Sequence, residues 1–203
     1  MRTGRRKISF LFGLIILLFG GLWKFSPIDD VRNVSDLTDP LKLSGLGERG
    51  ANSRLNKLIF WLWHAEQRGL APETTLNWAF RLNGQQEPQA GLVRESLLRN
   101  VKIARQLGLL DAKNLEDLRH GRAGTVREGP YKGELVEIDH IVPLSLAPEV
   151  GNELANLEML PRTLNRRKSN RVNERQLAHA ERLHNAGLLT QTSLLKVHQK
   201  FAK

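Results

Sequence analysis

Between residues 134 and 172 the chain reads ELVEIDHIVPLSLAPEVGNELANLEMLPRTLNRRKSNRV, and most of its chemistry-bearing residues are gathered there. Asp139 stands directly before His140, Asn156 follows sixteen residues after the histidine, and Asn165 nine residues after that. A neutral imidazole titrates at about 6.5 when unperturbed, so a histidine beside an acid can accept a proton near neutral pH. Downstream, Arg162, Arg166, Arg167, Lys168, Arg171 and Arg175 form a dense basic run opposed only by Glu174. Such a run is ordinarily a solvated helix face. Beside a proton acceptor, it equally suits the binding of phosphates.

These residues need elements to position them. Glu134 to Ile141 has the pattern of a strand, and Pro143 stops regular pairing. A loop with Pro148, Gly151 and Asn152 follows, then a short strand from Leu157 to Leu160. Pro161 opens a helix in which Leu164 is expected to face the core, while Asn165, Lys168 and Ser169 share another face. The order is strand, loop, strand, helix. Adjacent residues of a regular strand point to opposite faces, so Asp139 and His140 serve one site only if the strand ends or bulges there.

This stretch resembles the HNH endonuclease family. Asp139-His140 and the following Ile141-Val142-Pro143 are similar to its first motif, Asn156-Leu157 to its central Asn-Leu, and Asn165 with Arg166, Arg167, Lys168 and Ser169 to its terminal motif. An asparagine occupies the third position where the family name has its second histidine. The resemblance covers about 40 of 203 residues and implies a ββα-metal module. It implies His140 as the base that takes a proton from water, Asp139 and Asn165 as ligands of a divalent metal, and Asn156 as a residue that fixes the loop and the histidine. Two protein ligands leave positions for phosphate oxygens and waters, which suits magnesium, with manganese as a substitute. Arg162, Arg166, Arg167, Lys168 and Arg171 are then expected to contact nucleic acid, with Lys168 nearest the scissile phosphate. DNA is the expected substrate and RNA is left open. Many relatives in that family hold a structural zinc through cysteines, and this chain has none, so neither that zinc nor any disulfide is expected.

The rest of the chain reads as delivery and support. With 31 Lys and Arg against 21 Asp and Glu, the net charge is +10, which points to a polyanionic partner. Arg2, Arg5, Arg6 and Lys7 precede an apolar run from Ile8 to Trp23, which would span roughly 24 Å as a helix. Residues 1–25 therefore read as a signal anchor contacting the membrane through residues 8–25, or as a cleaved signal peptide; no small-x-small site follows. The positive-inside rule keeps the amino terminus cytoplasmic and puts the body outside, or secretes it if the signal is cut.

Residues 26–50, with two prolines and three glycines, read as a linker. A helical region is expected over 51–120, with helices from Asn52 or Ser53 to Arg68, from Pro72 to Asn83, from Gln89 to Leu107 and from Asp111 to Arg119. Trp61, Trp63 and Trp78 are expected in its core. Residues 121–203 are expected to form the HNH-like module, with a first short strand at 125–128 and carboxy-terminal helices at 173–186 and 190–199. His64 and His120 are assigned no chemistry, and His179, His184 and His198 are read as surface residues. The expected fold class is α+β: anchor helix, helical region, then the ββα module. Two rivals from other classes are a membrane-anchored nucleic-acid-binding protein whose module grips without cutting, and a protein whose basic charge meets anionic lipid.

Overall fold

The computed structural model describes residues 27–169 and 171–202. The architecture is α+β, mostly helical, with one two-stranded antiparallel sheet among the described residues. In order come α1 (Ile28–Thr38), α2 (Pro40–Ser44), α3 (Gly50–Gln67), α4 (Pro72–Asn83), α5 (Gln89–Gln106) and α6 (Ala112–Arg119). Then follow β1 (Val136–His140), β2 (Leu157–Pro161), α7 (Arg162–Lys168), α8 (Glu174–Asn185) and α9 (Gln191–Phe201). The expected anchor lies outside the described residues, and among those described no helix is long and apolar enough to cross a membrane.

Local chemistry fixes most helix ends. Gly69 and Gly84 adopt the left-handed conformation just past α3 and α4, which glycine enters without a Cβ penalty. Pro72 begins α4, where its missing N–H costs nothing. Asp111 caps α6 through the Asn114 amide, Asn173 and Gln176 form a reciprocal capping box on α8, and Thr190 caps α9.

Among the described residues one apolar cluster runs from Val31 and Val34 on α1 to Leu194 and Val197 on α9, so the helical region and the strand module share a core. Of the segment read as a linker, residues 27–50 are built into it. Val31, Val34 and Leu43 are buried. Asp30 is fully buried and takes Nδ1 of His64 at 2.8 Å and Nη1 of Arg68 at 3.2 Å, tying α1 to the end of α3. At the opposite end of α1, Asn83 donates to the Ser35 carbonyl and to Thr38 Oγ1, both at 3.0 Å.

A two-stranded ribbon is marginal by itself, because its outer edges leave backbone groups unpaired. Here the β1–β2 register runs from Val136 opposite Pro161 to His140 opposite Leu157. The outer edge of β2 is closed by α5. Asn100, fully buried, accepts from Met159 N at 2.8 Å and donates to the Leu157 carbonyl at 3.0 Å, as a neighbouring strand would. Ser96 adds a bond to the Leu154 carbonyl at 2.9 Å.

Several sequence readings change. The strand expected at 125–128 shrinks to one bridge between Thr125 and Leu135, because Arg127 N and Glu128 N turn to the Leu107 carbonyl instead. Trp61 and Trp63 pack against the core as expected, but Trp78 is 47% exposed. His179 is buried. It lies on α8 with Glu95, Arg99 and Arg182 near enough to act on it electrostatically. Leu164 is only half-buried, and Ser169 falls beyond α7 with φ at 51°, so it does not continue the helical face of Asn165 and Lys168.

Candidate active site

The site is assembled on one face of β1, the end of that strand, and α7 packed over it. Residues two apart in a strand share a face, so Glu137 and Asp139 both point toward α7. Asn165 donates from Nδ2 to Glu137 Oε2 at 2.8 Å, and Arg162 Nε donates to Glu137 Oε1 at 3.1 Å. One turn further along α7, the Lys168 ammonium pairs with Asp139 Oδ2 and also donates to the His140 carbonyl. Glu134 fastens the start of the helix by accepting from Thr163 N and Thr163 Oγ1 at 2.9 and 2.7 Å. Those bonds hold the Glu134 carboxyl below the usual carboxylate range.

His140 is the last residue of β1 and is buried. No bulge precedes it. The ladder stays regular through His140, and the chain bends immediately afterwards. Asp139 and the His140 ring therefore leave the strand on opposite sides, and it is the His140 carbonyl that shares the Lys168 ammonium with Asp139. Nε2 lies 2.9 Å from the Gly151 carbonyl. A carbonyl only accepts, so in the neutral ring Nε2 carries the proton and Nδ1 is the basic nitrogen. Burial lowers the imidazole below its usual value, against the Gly151 bond and the Asp139 charge, which raise it; Arg49 and Lys168 lower it further. The ring is therefore neutral at pH 7.

The loop from 141 to 156 is held in shape by Asn156, which is fully buried. Its Oδ1 accepts from Val142 N at 2.8 Å, and its Nδ2 donates to the carbonyls of Val142 at 3.1 Å and Val150 at 3.4 Å. Its own carbonyl accepts from Ile141 N at 2.8 Å. The two residues after His140 are thus fixed by one asparagine, through its side chain and its own carbonyl. Gly151 allows the return approach: a Cβ there would sit 2.8 Å from Leu144 Cδ1 and 3.1 Å from the Pro148 carbonyl.

The basic run divides. Arg162 and Lys168 are half-buried and engaged with Glu137 and Asp139. Arg166, Arg167 and Arg171 are exposed at the end of α7 and beyond it. Arg175 pairs instead with the buried Glu158, the β2 residue that stands opposite Asp139 in the ladder.

For a hard cation, the two expected ligands have separate partners: the Asp139 carboxylate is paired with Lys168, and Asn165 with Glu137, a second carboxylate on the same face of β1. Glu137 accepts only, so it fixes the Asn165 amide with nitrogen toward β1 and leaves the oxygen free. A charged and a neutral oxygen fit magnesium chemistry, with water and substrate as the remaining ligands. Among the described residues no group of three His, Cys, Asp or Glu forms a ready metal cage. Two contributors escaped the sequence reading. Glu137 was detectable, being two residues from Asp139 on a strand; Arg49, whose charge reaches His140, was not.

Compared with known proteins, the chain matches no family model, no curated sequence and no solved structure.

Proposed function

We propose that this chain is a metal-dependent endonuclease of the HNH type that hydrolyses DNA phosphodiester bonds, with the anchor of residues 8–25 holding it at a membrane. The observation that carries the reading is the meeting of β1 and α7. A carboxylate, an oriented amide and a lysine are gathered beside a buried, neutral histidine whose loop is braced by Asn156. A purely structural cluster has no need of an imidazole with its basic nitrogen left free.

In this reading His140 Nδ1 takes the proton from the attacking water, and the Gly151 carbonyl, bonded to Nε2–H, steadies the imidazolium that results. Asp139 and Asn165 Oδ1 would hold a divalent ion, magnesium or manganese. That ion, when bound, offsets the negative charge that builds on the phosphate and on the departing oxygen. Arg166, Arg167 and Arg171 bind backbone phosphates on the exposed side of α7. Lys168 leaves Asp139 for the phosphate once substrate is in place. Specificity for base sequence has no support among these residues.

One observation favours a second reading. The Lys168 ammonium already neutralises Asp139, as it would in a module that binds DNA without cutting. Incubating the full-length chain with supercoiled plasmid in magnesium, manganese or EDTA separates the two. Nicking or linearisation abolished by EDTA supports the nuclease; retarded but intact plasmid under every metal supports the binding module.

A further inference from the structure

We propose that Arg49, on the turn before α3, is a phosphate-binding residue of the same site, reaching the substrate strand from beside the loop that holds the His140 ring. The inference rests on the nuclease reading and deepens it.

The turn from Leu46 to Ala51 is clipped to the active-site loop by one side chain. Asn152 donates from Nδ2 to the carbonyls of Leu46 at 3.2 Å and Gly47 at 3.0 Å, and its Oδ1 accepts from Ala51 N at 3.1 Å. The neighbouring residue, Gly151, is the one whose carbonyl holds the His140 ring. Arg49 is thus carried on a turn two short links from the proposed base, and its charge acts on that ring.

The turn holds Arg49 in an uncommon backbone state. Its φ and ψ are 58° and 17°, in the left-handed region that a residue with a Cβ rarely enters. Glycine would fit this position more easily, yet an arginine stands there. Strain of this kind at a site is grounds for asking what the side chain does. Its side chain is 63% exposed, and its nearest acid is the adjacent Glu48 at 3.7 Å, itself 77% exposed. That is a loose surface pair, weak enough for a phosphate to displace. Lys168 meets the end of β1 through Asp139 and the His140 carbonyl, whereas Arg49 is carried on the turn clipped to the loop that holds the His140 ring. A phosphodiester entering between them would be held from both.

The test uses the full-length chain and the variants Arg49→Gly, Arg49→Lys and His140→Ala. Arg49→Gly removes the guanidinium while easing the backbone, so thermal stability should be unchanged or slightly raised. Cleavage should nevertheless fall roughly 10-fold to 100-fold, the size expected when one charge-assisted phosphate contact is lost. Arg49→Lys should recover part of it. In EDTA, where no cleavage occurs, the log–log salt slope for duplex binding should shrink by about one with Arg49→Gly. Arg32→Gln, at an exposed arginine on α1 paired with Asp29, should leave the slope unchanged. An Arg49→Gly protein that cleaves and binds like wild type, while His140→Ala is inactive, would overturn the proposal and leave the nuclease standing. A wild-type chain that cuts under no metal would instead remove the nuclease reading, whatever Arg49 does to binding.

Discussion

Replacing Asn156 with alanine tests whether the loop beside His140 depends on one buried amide. The substitution strips partners from Val142 N, Val142 O and Val150 O, in a region where Val142, Val150 and Asn156 are all essentially inaccessible to water. Each buried backbone group left unsatisfied costs about 1–3 kcal/mol. The Val150 contact, at 3.4 Å, counts for less, so the sum is about 4 kcal/mol. In a domain of this size that lowers Tm by roughly 8–16 °C. Asn156→Asp should do no better, because it sets a carboxylate against two carbonyls. Thermal denaturation followed by circular dichroism gives the stability, and plasmid cleavage well below the lowered Tm gives the activity. Both should fall together. An unchanged Tm with activity lost would mean that Asn156 acts on the chemistry directly, and a lowered Tm with full activity would mean that the loop's shape does not matter to the site.

Three further outcomes are expected. Asn100→Leu should destabilise the chain by about 1–3 kcal/mol, read from urea midpoints, because it orphans Met159 N at the buried edge of β2 and leaves the Leu157 carbonyl only its bond from Ser96 Oγ. Burial pushes His179 down to about 4, with the Arg99 and Arg182 charges adding to it. An unfolded histidine takes its proton at about 6.5, so stability is complete above that value and is lost as pH falls toward 4, by about 3 kcal/mol in all. Urea melts at pH 7 and 4.5 should show this extra loss in wild type and not in His179→Gln. Glu137→Gln should leave folding nearly intact but let the Asn165 amide turn over, raising the magnesium requirement for cleavage about 10-fold to 100-fold; an unchanged magnesium titration would remove Glu137 from the site.

Much of the helical scaffold was legible because its signals are local. Gly69, Pro72, Gly84, Asp111, Asn173 and Thr190 mark helix ends through their own backbone and capping chemistry. The order of strand, loop, strand and helix was legible from Pro143, Pro161 and the apolar spacing between them. What stayed hidden depends on partners distant in the chain. Segment 26–50 looked like a tether because α1 buries polar groups: the side chains of Asp30 and Thr38 and the Ser35 carbonyl find their partners on α3 and α4. His179 looked like a surface residue because its cover comes from α5 and the strand module. Trp78 sits beside the buried stripe of Thr75, Leu76, Ala79 and Phe80, not on it. At the site, the type and order of Asp139, His140, Asn156 and Asn165 were legible. The pairing of Asn165 with Glu137, of Lys168 with Asp139, and the clip that brings Arg49 close all required the fold.

The central claim is that His140 is the base of a metal-dependent cleavage reaction, and it is tested most directly by comparing full-length wild type and His140→Ala on supercoiled plasmid in magnesium. Protein concentrations would be set to give equal DNA occupancy by gel retardation in EDTA. The account predicts nicked or linear product from wild type alone, with His140→Ala binding the plasmid and leaving it supercoiled. Cleavage by His140→Ala at the wild-type rate would contradict it and place the active site elsewhere in the chain.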